Sequence, residues 1–271
     1  MWKHPGAPTD HDETDMAKTK LAGKVVLVGG GAKNLGGLTS RQFAEMGAKV
    51  AVHYNSAATK TAAEDTVAAV KATGSDAIAI QAVFTIPAEV ARVFDETIRA
   101  FGGVDIAVNT TGMVIKKPIL ECTEEDYDKI FAINSKAAFF FIQEAGKKLN
   151  ERGRIITVVS SLLAAYTDSY AIYPGSKAPV EHYTRAASKE FGARGISVNA
   201  VGPGPMDTPF FYGQESKESS AYHASAAALS KYSKKGLTDI EDIVPIITFL
   251  ATEGWWITGQ TIFANGGYTT R

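Results

Sequence analysis

The sequence predicts a single α/β domain with a doubly wound, parallel β-sheet that carries helices on both faces. From Leu21 almost to the C-terminus, short apolar β-branched runs alternate with longer amphipathic runs. Strands that are apolar along their whole length are typical of sheets buried on both faces, and strand–helix alternation favours parallel crossovers. The chain has 271 residues, no internal repeat and no long linker, which is typical of one domain of this class.

Seven runs are predicted to be strands and six to be helices. The strands are 25–28, 50–52, 77–83, 105–108, 155–159, 196–200 and 261–263. The helices are 37–47, 57–73, 87–101, 124–149, 176–193 and 239–251, with glycines at several of their boundaries. The one long irregular stretch is 202–238. Within it, 205–235 is expected to be a variable substrate-binding segment, because long insertions in compact domains tend to be lids or binding loops.

Composition and charge exclude several classes of protein. The 28 basic and 29 acidic side chains leave a formal net charge of −1, whereas a nucleic-acid binder usually carries a basic face. No run approaches the ~18 apolar residues of a membrane helix, so no membrane partner is expected. The single cysteine, Cys122, excludes an intrachain disulfide and makes no metal cluster, so no metal is predicted and a reducing, cytoplasmic compartment is favoured. Residues 1–20 are expected to be a flexible tail before a domain spanning 21–271.

A glycine-rich segment, VGGGAKNLGG, follows the first strand directly and leads into a helix. Glycines at such a turn let the backbone approach a pyrophosphate, whose charge then lies at the helix N-terminus. Glycines also occur at strand-to-helix turns for packing alone. The position after the first strand of a βαβ series favours cofactor binding by Gly30, Lys33, Asn34, Leu35 and Gly36.

The end of the second strand predicts which cofactor is bound. A carboxylate there would accept hydrogen bonds from the ribose of NAD and repel a 2′-phosphate. This chain instead has His53, Asn55 and Ser56 around Tyr54, with no acid, and Lys33 could supply a positive charge. These residues favour NADP(H); the less favoured alternative is that Lys33 is a solvated loop residue.

A tyrosine and a lysine four residues apart, Tyr173 and Lys177, are expected to share one helix face. The ammonium is expected to lower the pKa of the phenol, as a general acid for carbonyl reduction requires. Two serines, Ser160 and Ser161, follow the strand that ends at Val159, at the sheet edge where ligands bind. Their alternative role is capping.

Taken in order, these features resemble the short-chain dehydrogenase/reductase family over residues 21–268. Six motifs of that family have counterparts in this sequence, in the same order. One such motif alone would be weak evidence for the family, but six in the same order are specific to it. They are 29–36 for its TGxxxGxG turn, 109–112 for its NNAG, Asn134 for its helix asparagine, Tyr173 and Lys177 for its YxxxK, 203–208 for its PGxxxT, and 257–267 for its C-terminal motif.

The resemblance implies a Rossmann-type fold and an NADP(H)-dependent oxidoreductase that acts on a carbonyl substrate, either a ketone, an aldehyde or a 3-oxoacyl compound. It implies a homotetramer or homodimer, for which Trp255 and Trp256 are interface candidates. The implied catalytic residues are Ser160 (with Ser161 as the alternative), Tyr173, Lys177, and Asn134, which would hold a proton-relay water. The implied cofactor-binding residues are those named above together with Asn109, Gly112, Tyr173, Lys177, Pro203, Gly204 and Thr208.

Three departures from the family pattern concern the cofactor. Gly29 replaces a threonine, and Asn34 replaces a glycine, although asparagine tolerates a left-handed backbone better than most residues. Val83 stands where the family usually has an adenine-binding aspartate. Nearer the catalytic pair, Pro174 and Pro179 are unusual but can be tolerated near a helix start.

Two rival functions remain open at this point. Tyr170 lies seven residues before Lys177, the spacing of the related enoyl-thioester reductases, which would make an activated C=C bond the substrate. The other rival is a non-catalytic NADP-binding sensor on the same fold. The composition of 205–235 and 162–172 suggests an apolar, uncharged substrate. Lys116, Lys117 and Lys136 could instead dock a carrier protein.

Overall fold

The structure, a computed structural model, describes residues 20–270, which contain a seven-stranded sheet. Its strands are β1 (Val25–Gly29), β2 (Lys49–Tyr54), β3 (Ala77–Gln81), β4 (Ile106–Asn109), β5 (Arg154–Val158), β6 (Ser197–Pro203) and β7 (Thr261–Ala264). They are arranged in the order β3-β2-β1-β4-β5-β6-β7, and all neighbours are parallel. The predicted tail, 1–20, lies outside the described residues except for Lys20.

Helices cover both faces of the sheet. They are α1 (Asn34–Glu45), α2 (Lys60–Ala72), α3 (Pro87–Phe101), α4 (Glu124–Phe131), α5 (Ala137–Lys148), α6 (Ile172–Glu190), α7 (Pro209–Tyr212), α8 (Lys217–Ala226) and α9 (Ile240–Ala251). Side chains of α1, α2 and α9 pack in the core on one face, and those of α3, α5 and α6 pack on the other. The predicted fold class is therefore confirmed.

Strand β1 illustrates why the sequence folds this way. Val26 and Val28 point into one core and Leu27 into the other, because successive side chains of a strand point to opposite faces. All three are fully buried. A two-sided core requires an apolar residue at every position of the strand, which is the pattern the sequence shows.

Most helix limits differ from the predicted ones by one to four residues, and two of the differences concern the site. The helix predicted over 124–149 is interrupted by a five-residue π-helical turn, Ala132–Lys136, and π turns inside α-helices frequently occur at functional sites. Helix α6 begins at Ile172 instead of 176, so Pro174 falls in its first turn, where a missing N–H costs little. Pro179 lies inside the same helix.

The stretch predicted to be irregular, 202–238, is more ordered than expected. Strand β6 extends to Pro203, and the helices α7 and α8 follow within the segment. Ser216 begins α8 by accepting the N–H of Ser219 with its hydroxyl. These short helices cover the carboxyl edge of β6 and β5, where they form one wall of a cavity.

Among residues 20–270, no helix has the length and apolar character needed to cross a membrane. The same residues contain no group of three or more His, Cys, Asp or Glu side chains arranged to hold a metal ion.

Candidate active site

The predicted site residues come together at the carboxyl edge of the sheet. Gly29 of β1 pairs with Asn109 of β4, and Asn109 pairs with Thr157 of β5, so these strands end side by side. Successive strands are added on one side of β1 up to β3 and on its other side from β4 onward, and open α/β sheets bind ligands at such a switch point. A groove of about 1360 Å³ lies there.

The glycine turn has the backbone geometry that its sequence predicts. Gly30 has φ +74° and Asn34 has φ +49°, so the asparagine adopts the left-handed conformation that it tolerates. Gly36 lies against the turn: a Cβ there would press into the carbonyl oxygen of Gly30 and lie 2.7 Å from Thr110 Oγ1. The turn therefore has room for backbone only.

Replacing Gly36 with alanine is expected to weaken NADPH binding by about tenfold or more, because overpacking of this kind costs about 1–3 kcal/mol and must displace the turn. NADPH fluorescence titration measures the loss, and circular dichroism checks the fold. Gly192→Ala is the control, since a Cβ at Gly192 meets nothing within 4 Å. Unchanged affinity in Gly36→Ala would show that this turn does not hold the cofactor.

His53 stabilises the glycine turn through a hydrogen bond to its backbone. Its Nδ1 accepts the N–H of Gly30 at 2.9 Å, so the neutral ring carries its proton on Nε2, which donates to the carbonyl of Ala82 at 2.9 Å. The ring stacks on Phe84 with centroids 3.6 Å apart. Burial lowers the pKa of His53 to about 4, so the ring is neutral and contributes no charge to a phosphate. His53 positions the turn, a role that sequence reasoning did not assign.

The groove carries positive and no negative side chains among the described residues that line it. Lys33, exposed at the start of α1, and Lys177 are the charged ones. The predicted residues that line it are Gly30, Lys33, Asn34, Leu35, Gly36, His53, Asn55, Gly112, Tyr173, Lys177 and Thr208. Lining residues that were not predicted include Thr59, Phe84, Thr85, Met113 and Ile133.

Four residues that were predicted to bind the cofactor are not among the residues that line the groove. Ser56 caps the 3-10 turn Ala57–Thr59, where its hydroxyl accepts the N–H of Thr59. Asn109 is buried, and its Oδ1 accepts hydrogen bonds from the N–H and hydroxyl of Thr111. Pro203 and Gly204 line the neighbouring cavity instead of the groove. The hydrogen bonds of Ser56 and Asn109 therefore stabilise the local turns in which these residues lie.

The departure at Val83 also has a local explanation. Val83 is 38% exposed and does not line the groove, whereas the next two residues, Phe84 and Thr85, do. The Phe84 ring stacks on His53. The groove is therefore lined by this aromatic ring, one residue after the position where the family usually has an aspartate.

Lys177 is a buried ammonium without a carboxylate partner among residues 20–270. Its Nζ donates to the carbonyls of Thr111 at 3.2 Å and Val158 at 3.1 Å. A Cβ on Gly112 would lie 2.9 Å from this Nζ, which explains the glycine there. Burial lowers the pKa of Lys177 to about 8.

The expected lowering of the Tyr173 pKa by Lys177 is wrong for this structure. Burial raises the pKa of the phenol, and a hydrogen bond with the Ser160 hydroxyl opposes part of that rise. The reason is geometric, since Lys177 turns toward two carbonyl groups.

Asn134 lies in the π turn and joins two loops. Its Oδ1 accepts the N–H of Met113, and its Nδ2 donates to the carbonyl of Met113 and to Ser176 Oγ, all at 2.9 Å. The side chain therefore ties the loop after β4 to the start of α6. These hydrogen bonds help to position the part of α6 that carries Tyr173 and Lys177 beside the groove.

The two serines differ in what they contact. Ser161 is buried, donates to the carbonyl of Gly202 at 3.0 Å and accepts from Asn265 Nδ2 at 3.0 Å. Ser160 instead contacts the Tyr173 hydroxyl, and its oxygen also accepts the N–H of Leu162. Only Ser160 is hydrogen-bonded to the phenol.

A second cavity of about 640 Å³ adjoins the groove, and Tyr173, Met206, Thr208 and Phe210 line both. Ser160 and Ser161 line this second cavity, as do α7 and α8 side chains from the predicted substrate segment. We call it the substrate cavity. Its lining includes a buried glutamate, Glu215, that sequence reasoning missed.

The lysines considered for carrier-protein docking are not all available. Lys116 Nζ lies 2.5 Å from Glu215, and Lys117 Nζ lies 2.7 Å from Asp126. Both charges are therefore neutralised within the chain, and Lys136 alone of the three remains exposed without a described carboxylate partner.

A glycine turn, a Ser–Tyr–Lys group and an adjoining cavity at one edge of a parallel sheet define a dinucleotide-dependent oxidoreductase. A sequence model of the family described as Enoyl-(Acyl carrier protein) reductase matches residues 30–269. The chain belongs to the short-chain dehydrogenase/reductase family, as its motifs predict.

Three relatives illustrate the likeness. A hydroxynaphthalene reductase-like protein of Metarhizium brunneum is 37% identical over 260 residues, covering 92% of this chain and 96% of the relative. A dehydrogenase from Burkholderia cenocepacia, solved with bound NADP, is 60% identical with a TM-score of 0.92, covering 97% of this chain and 100% of that one. The angucycline C-6 ketoreductase LanV, also solved with NADP, is 29% identical with a TM-score of 0.84, covering 92% and 96%.

Proposed function

We propose that this protein is an NADP(H)-dependent carbonyl reductase for a ketone, an aldehyde or a 3-oxoacyl compound. One observation carries the proposal: Tyr173 lines both the groove and the substrate cavity and is hydrogen-bonded to Ser160. A phenol at this junction can reach an oxygen in the cavity while the groove holds the cofactor beside it. The non-catalytic alternative is disfavoured because all four catalytic candidates are present.

The groove fits NADP(H) in shape and in charge. The glycine turn places the backbone of Gly30 and Gly36 along the groove at the N-terminus of α1, where a pyrophosphate would bind. Lys33 would hold the 2′-phosphate, and the absence of carboxylates among the described lining residues removes the repulsion that it would meet in an NAD site. The relatives solved with NADP support the same choice.

In the proposed mechanism, Ser160 and Tyr173 act on the substrate oxygen, whereas Lys177 and Asn134 hold the cofactor and the surrounding backbone. NADPH, when bound, supplies the hydride that reduces the carbonyl carbon. Ser160 donates a hydrogen bond to the carbonyl oxygen, and Tyr173 donates its proton to that oxygen as the alcohol forms. Lys177 lines the groove, where its ammonium would bind the nicotinamide ribose of the cofactor. Asn134 holds the loop and helix that carry these groups.

Replacing Lys33 with alanine is expected to weaken NADPH binding by about tenfold while leaving NADH binding unchanged, since only NADPH carries the 2′-phosphate. Because Lys33 is exposed, the effect should shrink in 1 M salt. Calorimetric titration with both cofactors checks this, and Lys71→Ala, an exposed lysine at the end of α2, is the control. Equal weakening for both cofactors would contradict the assignment.

An enoyl-thioester reductase is the second candidate, favoured by the family description and by the spacing of Tyr170 from Lys177. The Tyr170 hydroxyl, however, donates to Glu215, and burial raises its pKa further. It also does not line the groove. NADPH consumption with matched ketones, aldehydes, 3-oxoacyl and 2-enoyl thioesters separates the two candidates. Turnover confined to enoyl thioesters would refute the carbonyl reductase.

We further propose a homotetramer or homodimer in a reducing, cytoplasmic setting. Exposed aromatic residues support the assembly: Trp255 and Trp256 are 55% and 81% exposed, and such surfaces are typical of subunit interfaces. The single, free Cys122 fits the reducing setting. Light scattering coupled to size-exclusion chromatography gives the assembly state.

A further inference from the structure

The substrate cavity contains a set of polar side chains that the proposed reduction does not use. Tyr170, Glu215, His223 and Tyr268 line it, and we call these four the second polar cluster. Most of the other lining residues are apolar, namely Val114, Val159, Leu162, Pro203, Pro205, Met206, Phe210 and Phe211. Ligand cavities are mainly apolar, with a few placed polar groups that fix the orientation of the ligand. The second polar cluster fits this description, because its four polar side chains lie among mostly apolar ones.

Glu215 fixes the hydroxyl of Tyr170. The Glu215 side chain has no exposed surface, and its carboxylate accepts hydrogen bonds from Lys116, Ser219 and Tyr170. Because the Tyr170 proton points to Glu215, the lone pairs of its oxygen remain as acceptors. Burying a carboxylate costs desolvation free energy unless the carboxylate is paired in this way. An apolar side chain at position 215 would have filled the same space without that cost.

His223 fixes the second tyrosine in the same manner. Its Nδ1 lies 2.9 Å from the Tyr268 hydroxyl, and the Tyr268 hydroxyl also contacts Thr167. His223 Nε2 is 3.8 Å from Glu215, beyond hydrogen-bond distance. Two tyrosine hydroxyls in one cavity are thus each oriented by a buried partner.

The cluster is electrically neutral as a whole. The charge of Lys116 offsets that of Glu215, burial lowers the pKa of His223, and burial raises the pKa values of Tyr170 and Tyr268. A neutral set of oriented hydroxyl groups suits a neutral hydrogen-bonding group. It would not compensate the desolvation of a carboxylate, a phosphate or an ammonium group.

Two tyrosines of the substrate cavity can meet the same molecule. The rings of Tyr170 and Tyr173 lie edge to face with centroids 6.2 Å apart, and both line the cavity. A molecule that enters the cavity can therefore contact the Tyr173 phenol and the Tyr170 hydroxyl at the same time.

We propose that Tyr170 and Tyr268 form a hydroxyl-recognition subsite, that Glu215 and His223 are its positioning residues, and that the substrate is a ketone that also bears a hydroxyl group. The substrate class rests on the proposed carbonyl reduction, whereas the subsite itself can be tested without turnover.

The kinetic test compares 1-tetralone with its ring-hydroxylated derivatives in the NADPH-loaded enzyme. At the best ring position, the wild type should have a kcat/KM at least about tenfold higher for the hydroxylated ketone, since a site that hydrogen-bonds a hydroxyl group discriminates against its absence. Tyr170→Phe and His223→Phe should each reduce that ratio to about threefold or less. Ser225→Ala, an exposed change on α8, is the control. Equal losses on both ketones would mean a merely structural role and would overturn the subsite.

The binding test separates the subsite from the proposed function. Calorimetric titration of the NADP⁺-loaded protein measures the affinity of the same ketones without chemistry. Tighter binding of a hydroxylated ketone, lost in Tyr170→Phe, supports the subsite even if no ketone is reduced, in which case the proposed function alone fails. Reduction of both ketones with equal affinity overturns the subsite and leaves the function standing. Failure of every ketone to bind overturns both.

Discussion

Replacing Tyr173 with phenylalanine is expected to lower kcat for ketone reduction by about 100- to 10,000-fold, the range in which a positioned general acid contributes. Among the described residues that line both the groove and the substrate cavity, Tyr173 carries the one phenol, and an aliphatic hydroxyl such as that of Ser160 cannot supply the proton as effectively. NADPH affinity should change little, because the ring remains. Stopped-assay kinetics and NADPH titration on the same preparations measure the two quantities.

The matched control for this change is Tyr166→Phe, which removes the hydroxyl of a tyrosine that is 89% exposed in the loop before α6. It should retain full activity. Ketone reduction that survives Tyr173→Phe would remove the phenol from the chemistry. If enoyl-thioester reduction also survives and is lost in Tyr170→Phe, the enoyl reductase becomes the better description.

Replacing Lys177 with methionine is expected to abolish most turnover and, at the same time, to stabilise the cofactor-free protein at pH 7. The ammonium is buried against two carbonyl groups, and its pKa is lowered from 10.5 to about 8. The charged form is therefore disfavoured in the folded state, by up to about 3 kcal/mol for a shift of this size. Methionine has a similar length and no charge to desolvate. Urea unfolding measures the gain.

The stabilisation should depend on pH in a defined direction. Below about pH 8 the buried lysine is charged in both states, so its full cost is present and methionine gives its largest gain. As pH rises from 8 to 10.5, the folded-state lysine is already neutral while the unfolded one loses its proton, so the gain fades. Lys189→Met, an exposed change on the same helix, should show no such trend. A gain that is equal at pH 7 and pH 10 would contradict the burial of the charge.

Local spacing and residue type allowed much of the site to be predicted. Tyr173 and Lys177 are one helical turn apart, and Asn34 adopts the left-handed conformation that its residue type permits. Such features depend on a few consecutive residues, and their geometry follows from the backbone. The contacts of Ser56 and Asn109 could not be read in this way, because each side chain bonds to a loop whose path is set by packing.

By itself, the sequence determined the parallel sheet between two helical layers and the family, because periodicity and motif spacing encode burial and local geometry. It also predicted Tyr173 and Lys177 as catalytic residues, with Ser160 or Ser161 beside them. Only the tertiary structure decided which side chains pair across the fold. Glu215 meets Tyr170 across 45 residues and Lys116 across 99, and the ring of His53 turns inward to Gly30. A buried polar group is stable only with a partner, and that partner is chosen by packing of segments distant in the chain, which no local pattern records.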